Sequence, residues 1–391
     1  MQTPYATGPV PPLACGPGEL RGLPDLIPAD AASVLLISDA GVAAAGLADR
    51  VEATLAGGPP VTRFVAPDSE PTVATVDRGA DCARRLERPA IVGLGGGTAL
   101  DIAKLVACLA RTRRALDDYL LGADTFGERT PAVMIPTTAG TGSEVTRTCI
   151  VTGQRGAKLW VWSPALAPDH VVLDPELALS MPRALAVATG LDAFVHALEA
   201  ATGRARNHFN EACARQAIRL AAGALEAFAS TPGDRAAAGT MQESAMLAGV
   251  AIDSGGTGIA HNIGHALGSL YHVPHGIAVA IGLQASLDWS IAGAGARFDG
   301  VADAFGADGG ARGLARAYAD WLDRLDFPAL AAPALAADMD ARALADAMAG
   351  EENLPMARNG ARTPADGDLE ALARRTVALC DDYRHSRAEP A

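Results

Sequence analysis

Ala90-Ile-Val-Gly-Leu-Gly-Gly-Gly-Thr-Ala-Leu-Asp-Ile-Ala-Lys104 joins a short apolar run to a helical stretch through three consecutive glycines. The run 90–94 predicts a buried strand, and the residues after the glycines predict a helix. Glycines let a backbone approach another group closely, and the free N–H groups of a helix start favour an anion such as a pyrophosphate. Gly95, Gly96, Gly97, Thr98 and Asp101 are therefore candidate nucleotide contacts, although a plain strand-to-helix turn uses the same residues. The loop departs from the usual dinucleotide fingerprint, whose acidic ribose contact follows the glycines by about 20 residues. The candidate acid here, Asp39, lies upstream, at the end of another β-branched run, 34–38. A carboxylate there would hold a ribose 2′-hydroxyl and repel a 2′-phosphate, which favours NAD over NADP. Its structural alternative is a helix cap or a turn residue.

Outward from this segment, apolar runs at 34–38, 61–65 and 132–135 alternate with helical stretches, and Lys158–Trp162 and His170–Leu173 read as further strands. Such alternation predicts a parallel sheet covered by helices, a Rossmann-like α/β domain over residues 1–182. After Met181-Pro182 the apolar residues recur at three and four, and strand-like runs disappear. Residues 183–391 therefore read as an all-helical domain, with Pro182 as a first-turn residue of its first helix. The alanine-rich stretch 311–349 reads as helical packing.

A second loop, Pro136-Thr-Thr-Ala-Gly-Thr-Gly-Ser-Glu-Val-Thr146, begins where a strand ends. Thr137, Thr138, Thr141, Ser143 and Thr146 give it a density of hydroxyls suited to ribose, phosphate or a carboxamide.

Composition narrows the function classes. The chain of 391 residues is 49% hydrophobic and 20% charged, as expected of a folded globular protein. A net charge of −13 with no basic run argues against nucleic acid as a partner. The N-terminus has no positive segment followed by an apolar one, so no secretion signal is expected. The longest apolar stretch, 276–287, is interrupted by Gln284 and is shorter than a membrane span requires. Six scattered cysteines without a CxxC pair read as reduced residues of a cytoplasmic protein. The 32 basic residues include only two lysines, Lys104 and Lys158. A chain that uses Arg almost everywhere keeps Lys where a compact ammonium is wanted.

The helical half carries a metal-like constellation. Asp192 and His196 are four apart on a helix and share a face. His261 and His265 repeat that spacing, and His275 follows. Four of the eight histidines (261, 265, 272, 275) lie within fifteen residues. A carboxylate and three imidazoles drawn from this set suit a borderline divalent ion such as Fe²⁺ or Zn²⁺. His272, His170, His208 and His385 read as rim or solvent-facing residues.

These motifs together resemble the iron-containing (group III) alcohol dehydrogenase family. The likeness runs through GGGTALDIAK (95–104), PTTAGTGSEVT (136–146), DPELALSMP (174–182), TGLDAFVHALEA (189–200) and GIAHNIGHALGSLYHVPHG (258–276). The resemblance implies a dehydroquinate-synthase-like fold, with an α/β nucleotide domain, an all-helical domain, and cofactor and metal between them. It implies Asp192, His196, His261 and His275 as metal ligands and His265 as a proton-relay residue near the substrate. Gly96, Gly97 and Thr98 match pyrophosphate contacts, the threonine loop matches a cofactor loop, and Lys158 matches a cofactor-contacting lysine. The implied reaction is NAD(H)-linked hydride transfer between a small alcohol and its aldehyde, by a homodimer or larger homo-oligomer. Three positions depart from the family pattern. Ala266 replaces a proline, Ile252 replaces a bulky aromatic nine residues before the first histidine, and Glu70 replaces an asparagine. Two related activities remain as alternatives, a glycerol-dehydrogenase-like polyol oxidoreductase and a dehydroquinate-synthase-like lyase. The lyase would need a cluster of basic residues around a polyanionic substrate, and the sequence shows no lysine cluster.

Overall fold

The β-branched runs form strands whose two faces are both covered, as in a parallel sheet between helices. A computed structural model describes residues 4–67, 71–153 and 156–385, so Glu70 lies outside the described residues. Among the described residues eight strands form: β1 (Leu13–Cys15), β2 (Ser33–Asp39), β3 (Val61–Ala66), β4 (Pro89–Gly95), β5 (Ala132–Pro136), β6 (Thr148–Thr152), β7 (Lys158–Trp162) and β8 (His170–Leu173). Six of them make one sheet in the order β1-β8-β5-β4-β2-β3, with every pair parallel. The β6–β7 pair is a separate antiparallel hairpin. Val34, Leu35, Leu36 and Ile37 of β2, and Ile91, Val92 and Leu94 of β4, are fully enclosed, which is why both runs are apolar without alternation.

The sequence anticipates six of the eight strands. β1 is three residues in a proline- and glycine-rich segment. It is held by pairing to β8 and by the fully buried Asp174, which accepts from the backbone N–H groups of Gly18 and Leu20 (3.1 Å each). β6 forms because β7 lies opposite it, which is a non-local cause.

The chain leaves β2 toward β3 on one side and returns to β4 on the other. The carboxyl ends of β2 and β4 thus flank the point where strand order reverses, the position at which open α/β sheets bind ligands. Asp39 ends β2, Gly95 ends β4, and Thr137 follows β5.

The helices that matter below are α1 (Ala40–Ala44), α2 (Gly97–Leu109), α3 (Arg183–Thr202), α4 (His208–Ser230), α5 (Arg235–Gly255), α6 (Ile259–Tyr271) and α7 (His275–Ala294). By packing, residues 7–181 and 232–249 form the α/β unit. Residues 182–231 and those from 250 onward form the all-helical unit. The segment 232–249 thus joins the sheet-bearing unit. Its cause is a close approach across the sequence: Gly142, with φ of 63°, sits so close to α5 that a Cβ there would lie 2.5 Å from Gly249 Cα. Gln242 Nε2 also donates to the Pro136 carbonyl (3.2 Å).

Within the helical unit α3 packs on α4 and α7, and α6 packs on α7. Pro182 is the residue before α3 rather than part of its first turn. Nearly every residue of α3 from Ala186 onward is buried, so its ionisable side chains there, Asp192, His196 and Glu199, are interior groups. Small residues allow close approach of helices. A Cβ on Gly276 would lie 2.2 Å from the Ala188 carbonyl oxygen, and one on Gly264 would lie 2.6 Å from Val279 Cγ1. The apolar stretch 276–287 belongs to a longer helix than its composition suggests. Arg183–Thr202 and His275–Arg297 are both long and apolar enough to cross a membrane, and 83% and 61% of their apolar windows are buried inside the fold.

Candidate active site

In the α/β unit the two loops singled out by sequence interlock. Thr137 N–H donates to the Gly95 carbonyl (2.9 Å). A Cβ on Gly96 would lie 3.2 Å from Thr138 Cγ2, and one on Gly97 would lie 2.7 Å from Thr141 Cγ2. Gly95 has a φ of 150° and leaves no room for a side chain, since a Cβ would lie 2.7 Å from Ala99 Cβ and 2.8 Å from Asp39 Oδ2. Gly96 is the residue before α2, and no side chain caps the helix there, so its first N–H groups are available to an anionic ligand. Gly96, Gly97, Thr98, Thr138 and Thr141 are partly exposed, whereas Thr137, Ser143 and Thr146 are buried.

Asp39 caps a helix, one of the two roles the sequence allows. Its Oδ1 accepts from Val42 N–H (2.7 Å) and caps α1, while Oδ2 faces the backbone of Gly95. Asp101, Ser143 and Thr146 make hydrogen bonds within the protein. Ser143 Oγ donates to Asp101 Oδ1 (2.5 Å), and Ile150 N–H donates to Asp101 Oδ2 (2.9 Å). Lys104, fully buried, donates to the carbonyls of Ser143 (2.8 Å), Thr148 (3.0 Å) and Thr146 (3.2 Å), and pairs with Asp101 (3.2 Å). One of the two lysines thus serves as a compact ammonium under the threonine loop, a geometry that a planar guanidinium does not match. Lys158, the first residue of β7, is also buried.

In the helical unit α3 presents Asp192 and His196, α6 presents His261 and His265, and α7 begins at His275. His272, exposed and with a φ of 56°, ends α6, and Pro274 precedes α7. One ligand atom from each of Asp192, His196, His261 and His275 lies within 4.8 Å of the other three. Asp192 Oδ1 is 3.5 Å from His275 Nε2, 3.6 Å from His261 Nε2 and 3.8 Å from His196 Nδ1. These spacings exceed hydrogen-bond length. They approximate the edges of a tetrahedron around an ion bonded at about 2.0–2.2 Å, which are roughly 3.3–3.6 Å. Asp192 Oδ1 and His261 Nε2 are fully enclosed, and neither has a hydrogen-bond partner. Buried polar atoms without partners are costly, and a divalent cation would satisfy both at once. The donor set, one carboxylate and three imidazoles, fits Fe²⁺ or Zn²⁺.

The electrostatics agree. Burial alone would raise the Asp192 carboxyl, but the imidazoles of His196, His275 and His261 hold it well below the usual carboxylate range. Burial alone would lower His261, yet the carboxylates of Glu199 and Asp192 outweigh it and raise this imidazole to about 9. The pocket is thus strongly attractive to positive charge. His265 flanks the group, its ring centroid 5.5 Å from that of His275 and 6.4 Å from that of His261. His208 and His385 are exposed, and His170 is half-buried.

Comparison with known proteins bears on this geometry. Residues 11–175 match the family profile described as iron-containing alcohol dehydrogenase, and residues 186–365 match that of its C-terminal domain. A choline dehydrogenase of Bacillus subtilis (strain 168) is 32% identical over 326 residues, 80% of this chain and 81% of that protein. The chain belongs to the iron-containing alcohol dehydrogenase family. A 1-propanol dehydrogenase of Citrobacter freundii is 34% identical over 250 residues, and the match spans 63% of this chain and 64% of that protein's length. A solved 1,3-propanediol oxidoreductase superposes with a TM-score of 0.85 at 26% identity, over 96% of this chain and 100% of that one. Both profiles carry iron and alcohol dehydrogenase in their descriptions. The α/β unit followed by an all-helical unit is the fold of these relatives.

Sequence reasoning missed two features of the site. Glu199 stands in the quoted HALEA motif without an assigned role, although it lies three residues beyond His196 on the same helix face. Lys104 stands out in the sequence for its rarity, but its bonds to the threonine loop come from across the fold.

Proposed function

We propose that this chain is an NAD(H)-dependent alcohol dehydrogenase or aldehyde reductase whose divalent metal is held by Asp192, His196, His261 and His275. The observation that carries the proposal is the convergence of those four donors, with two enclosed atoms lacking any hydrogen bond. A divalent ion there supplies Lewis acidity toward a substrate oxygen, and a bound nicotinamide supplies or accepts the hydride. Fe²⁺ is the proposed native ion, with Zn²⁺ as the alternative.

Each residue then has a task. Asp192 brings the negative charge that favours a cation over protons. The N–H groups at the start of α2, with Thr98, Thr138 and Thr141, receive the pyrophosphate and ribose. The Asp39 Oδ2 atom receives a ribose hydroxyl and disfavours NADP. Lys104, Asp101, Ser143 and Thr146 hold the threonine loop from beneath, and Lys158 remains a proposed cofactor contact. His265, beside the donor group, exchanges the alcohol proton with water, a role suited to an imidazole near neutral pH. Ile252 is partly exposed on α5, and its side chain is smaller than an aromatic ring, which supports a substrate bulkier than a short linear alcohol. The six cysteines are all free, which supports the cytoplasmic setting proposed for it. A homodimer or larger homo-oligomer is proposed from the family alone.

The test is the change in reduced-nicotinamide absorbance with a panel of alcohols and aldehydes, using metal-stripped protein with and without added Fe²⁺ or Zn²⁺. Metal-dependent turnover with NAD(H) supports the proposal. Equal turnover without metal overturns it.

A further inference from the structure

Glu199 is a buried carboxylate on α3, seven residues beyond Asp192 and three beyond His196, so it shares the helix face that carries both. Its side chain is 6% exposed. Three donors meet it, all from the start of α6. Gly258 N–H donates to Oε2 (2.7 Å), Ala260 N–H donates to Oε1 (2.6 Å), and His261 Nδ1 faces Oε2 at 2.6 Å. Two of the donors are backbone amides, which can only donate, so the carboxylate is an acceptor and the imidazole must present Nδ1–H to it. That fixes the tautomer. In the neutral, metal-ready imidazole the lone pair of His261 is therefore on Nε2, the atom 3.6 Å from Asp192 Oδ1 and without a hydrogen-bond partner.

We infer that Glu199 is a positioning residue for the metal centre, clamping the first turn of α6 onto α3 and aiming His261 Nε2 at the point shared with Asp192. The inference rests on the metal-centre reading above. No other side chain caps α6, so this distant carboxylate takes the place of a local cap. Gly258 makes the approach feasible. A Cβ there would lie 3.0 Å from Glu199 Oε1 and 3.2 Å from its Cδ, closer than side chains normally pack. An imidazole held through its far nitrogen by a carboxylate is oriented and more basic as a ligand, and loss of such a partner typically weakens metal binding by about 10–100-fold. Glutamine at this position keeps the shape, yet it cannot offer oxygens to all three donors at once.

The experiment titrates metal-stripped full-length wild type, Glu199→Gln and Gly258→Ala with Co²⁺, reading affinity and the visible ligand-field bands. NADH binding and thermal melting of the metal-free proteins serve as folding controls. The expected result is a Co²⁺ affinity about 10–100-fold weaker in Glu199→Gln, with altered bands and NADH binding kept. Gly258→Ala, which retains the carboxylate but crowds it, should also weaken Co²⁺ binding. A folded Glu199→Gln protein with wild-type Co²⁺ affinity and spectrum overturns the inference, even if its melting temperature falls, because Glu199 would then be only a helix cap. If Glu199→Gln does not fold, Gly258→Ala decides: weakened Co²⁺ binding supports the inference, and unchanged binding overturns it. Failure of the wild type itself to bind Co²⁺ defeats the metal-centre reading instead, and separates that failure from this one.

Discussion

Replacing Lys104 by Met should destabilise the α/β unit and loosen its grip on cofactor together. The ammonium is fully enclosed, 3.2 Å from Asp101 and within 2.8 to 3.2 Å of three loop carbonyls. Removing one partner of a buried ion pair costs about 3–5 kcal/mol, because the other charge stays enclosed without compensation. At roughly 2–4 °C per kcal/mol for a unit of this size, the melting temperature should fall by about 6–20 °C. The loop from Ser143 to Thr148 loses its anchor, and re-ordering one residue costs about 1–2 kcal/mol, so NADH should bind about tenfold more weakly. Lys104→Arg should fail as well, since a planar fork cannot meet these carbonyls inside a closed site. Adding Asp101→Asn to Lys104→Met should recover about 0.5–3 kcal/mol relative to the sum of the single changes. Thermal melts and NADH titrations of the four variants read all of this. A Lys104→Met protein with wild-type melting and NADH affinity would refute the reasoning.

Three further outcomes follow from the site. Asp39→Ser keeps an oxygen to cap α1 but removes the charge, so NADPH should gain on NADH by about tenfold, or 1–2 kcal/mol, with little loss of stability; an unchanged ratio of dissociation constants removes Asp39 from cofactor selection. Glu144 is buried, and burial, opposed in part by a backbone amide and Lys104, raises its carboxyl from 4.5 to about 7. A raised folded-state value means the stability tied to this proton is fully present below 4.5 and is lost as pH rises through about 7. Glu144→Gln should therefore be the more stable protein at pH about 8, by up to about 3 kcal/mol, with the gap closing near pH about 5; urea-denaturation curves that stay parallel across that range count against it. His265→Ala should retain metal and slow turnover by about 10²–10⁴-fold, and metal loss there would remove it from the proton-transfer role.

The strands and the start of the helical half were legible because their causes are local. Fully apolar runs such as 34–37 and 90–94 belong inside a parallel sheet, and the recurrence of apolar residues at three and four after Pro182 belongs to helices. A metal site built from Asp192, His196 and the histidine cluster was legible from two spacings of four, while the choice of His261 and His275 over His265 came from the family resemblance. Features with non-local causes were not. β6 exists because β7 pairs with it, and the first part of α5 joins the α/β unit because Gly142 and Gly249 meet, which periodicity along α5 does not reveal. Asp101, Ser143 and Thr146 have the residue types of ligand contacts, and their bonds to partners such as Lys104 and the Ile150 N–H come from across the fold. Glu199 carried a readable signal in its spacing from Asp192 and His196. Its partners on α6, however, lie about sixty residues away in sequence.

Metal content of anaerobically purified protein, compared among wild type, Asp192→Ala and His261→Ala, tests the central claim most directly. The account predicts about one divalent ion per chain in the wild type, and loss of both metal and turnover in each variant, while NADH still binds. Variants that keep their ion, or a metal-free wild type that turns over alcohol with NAD at full rate, would contradict it.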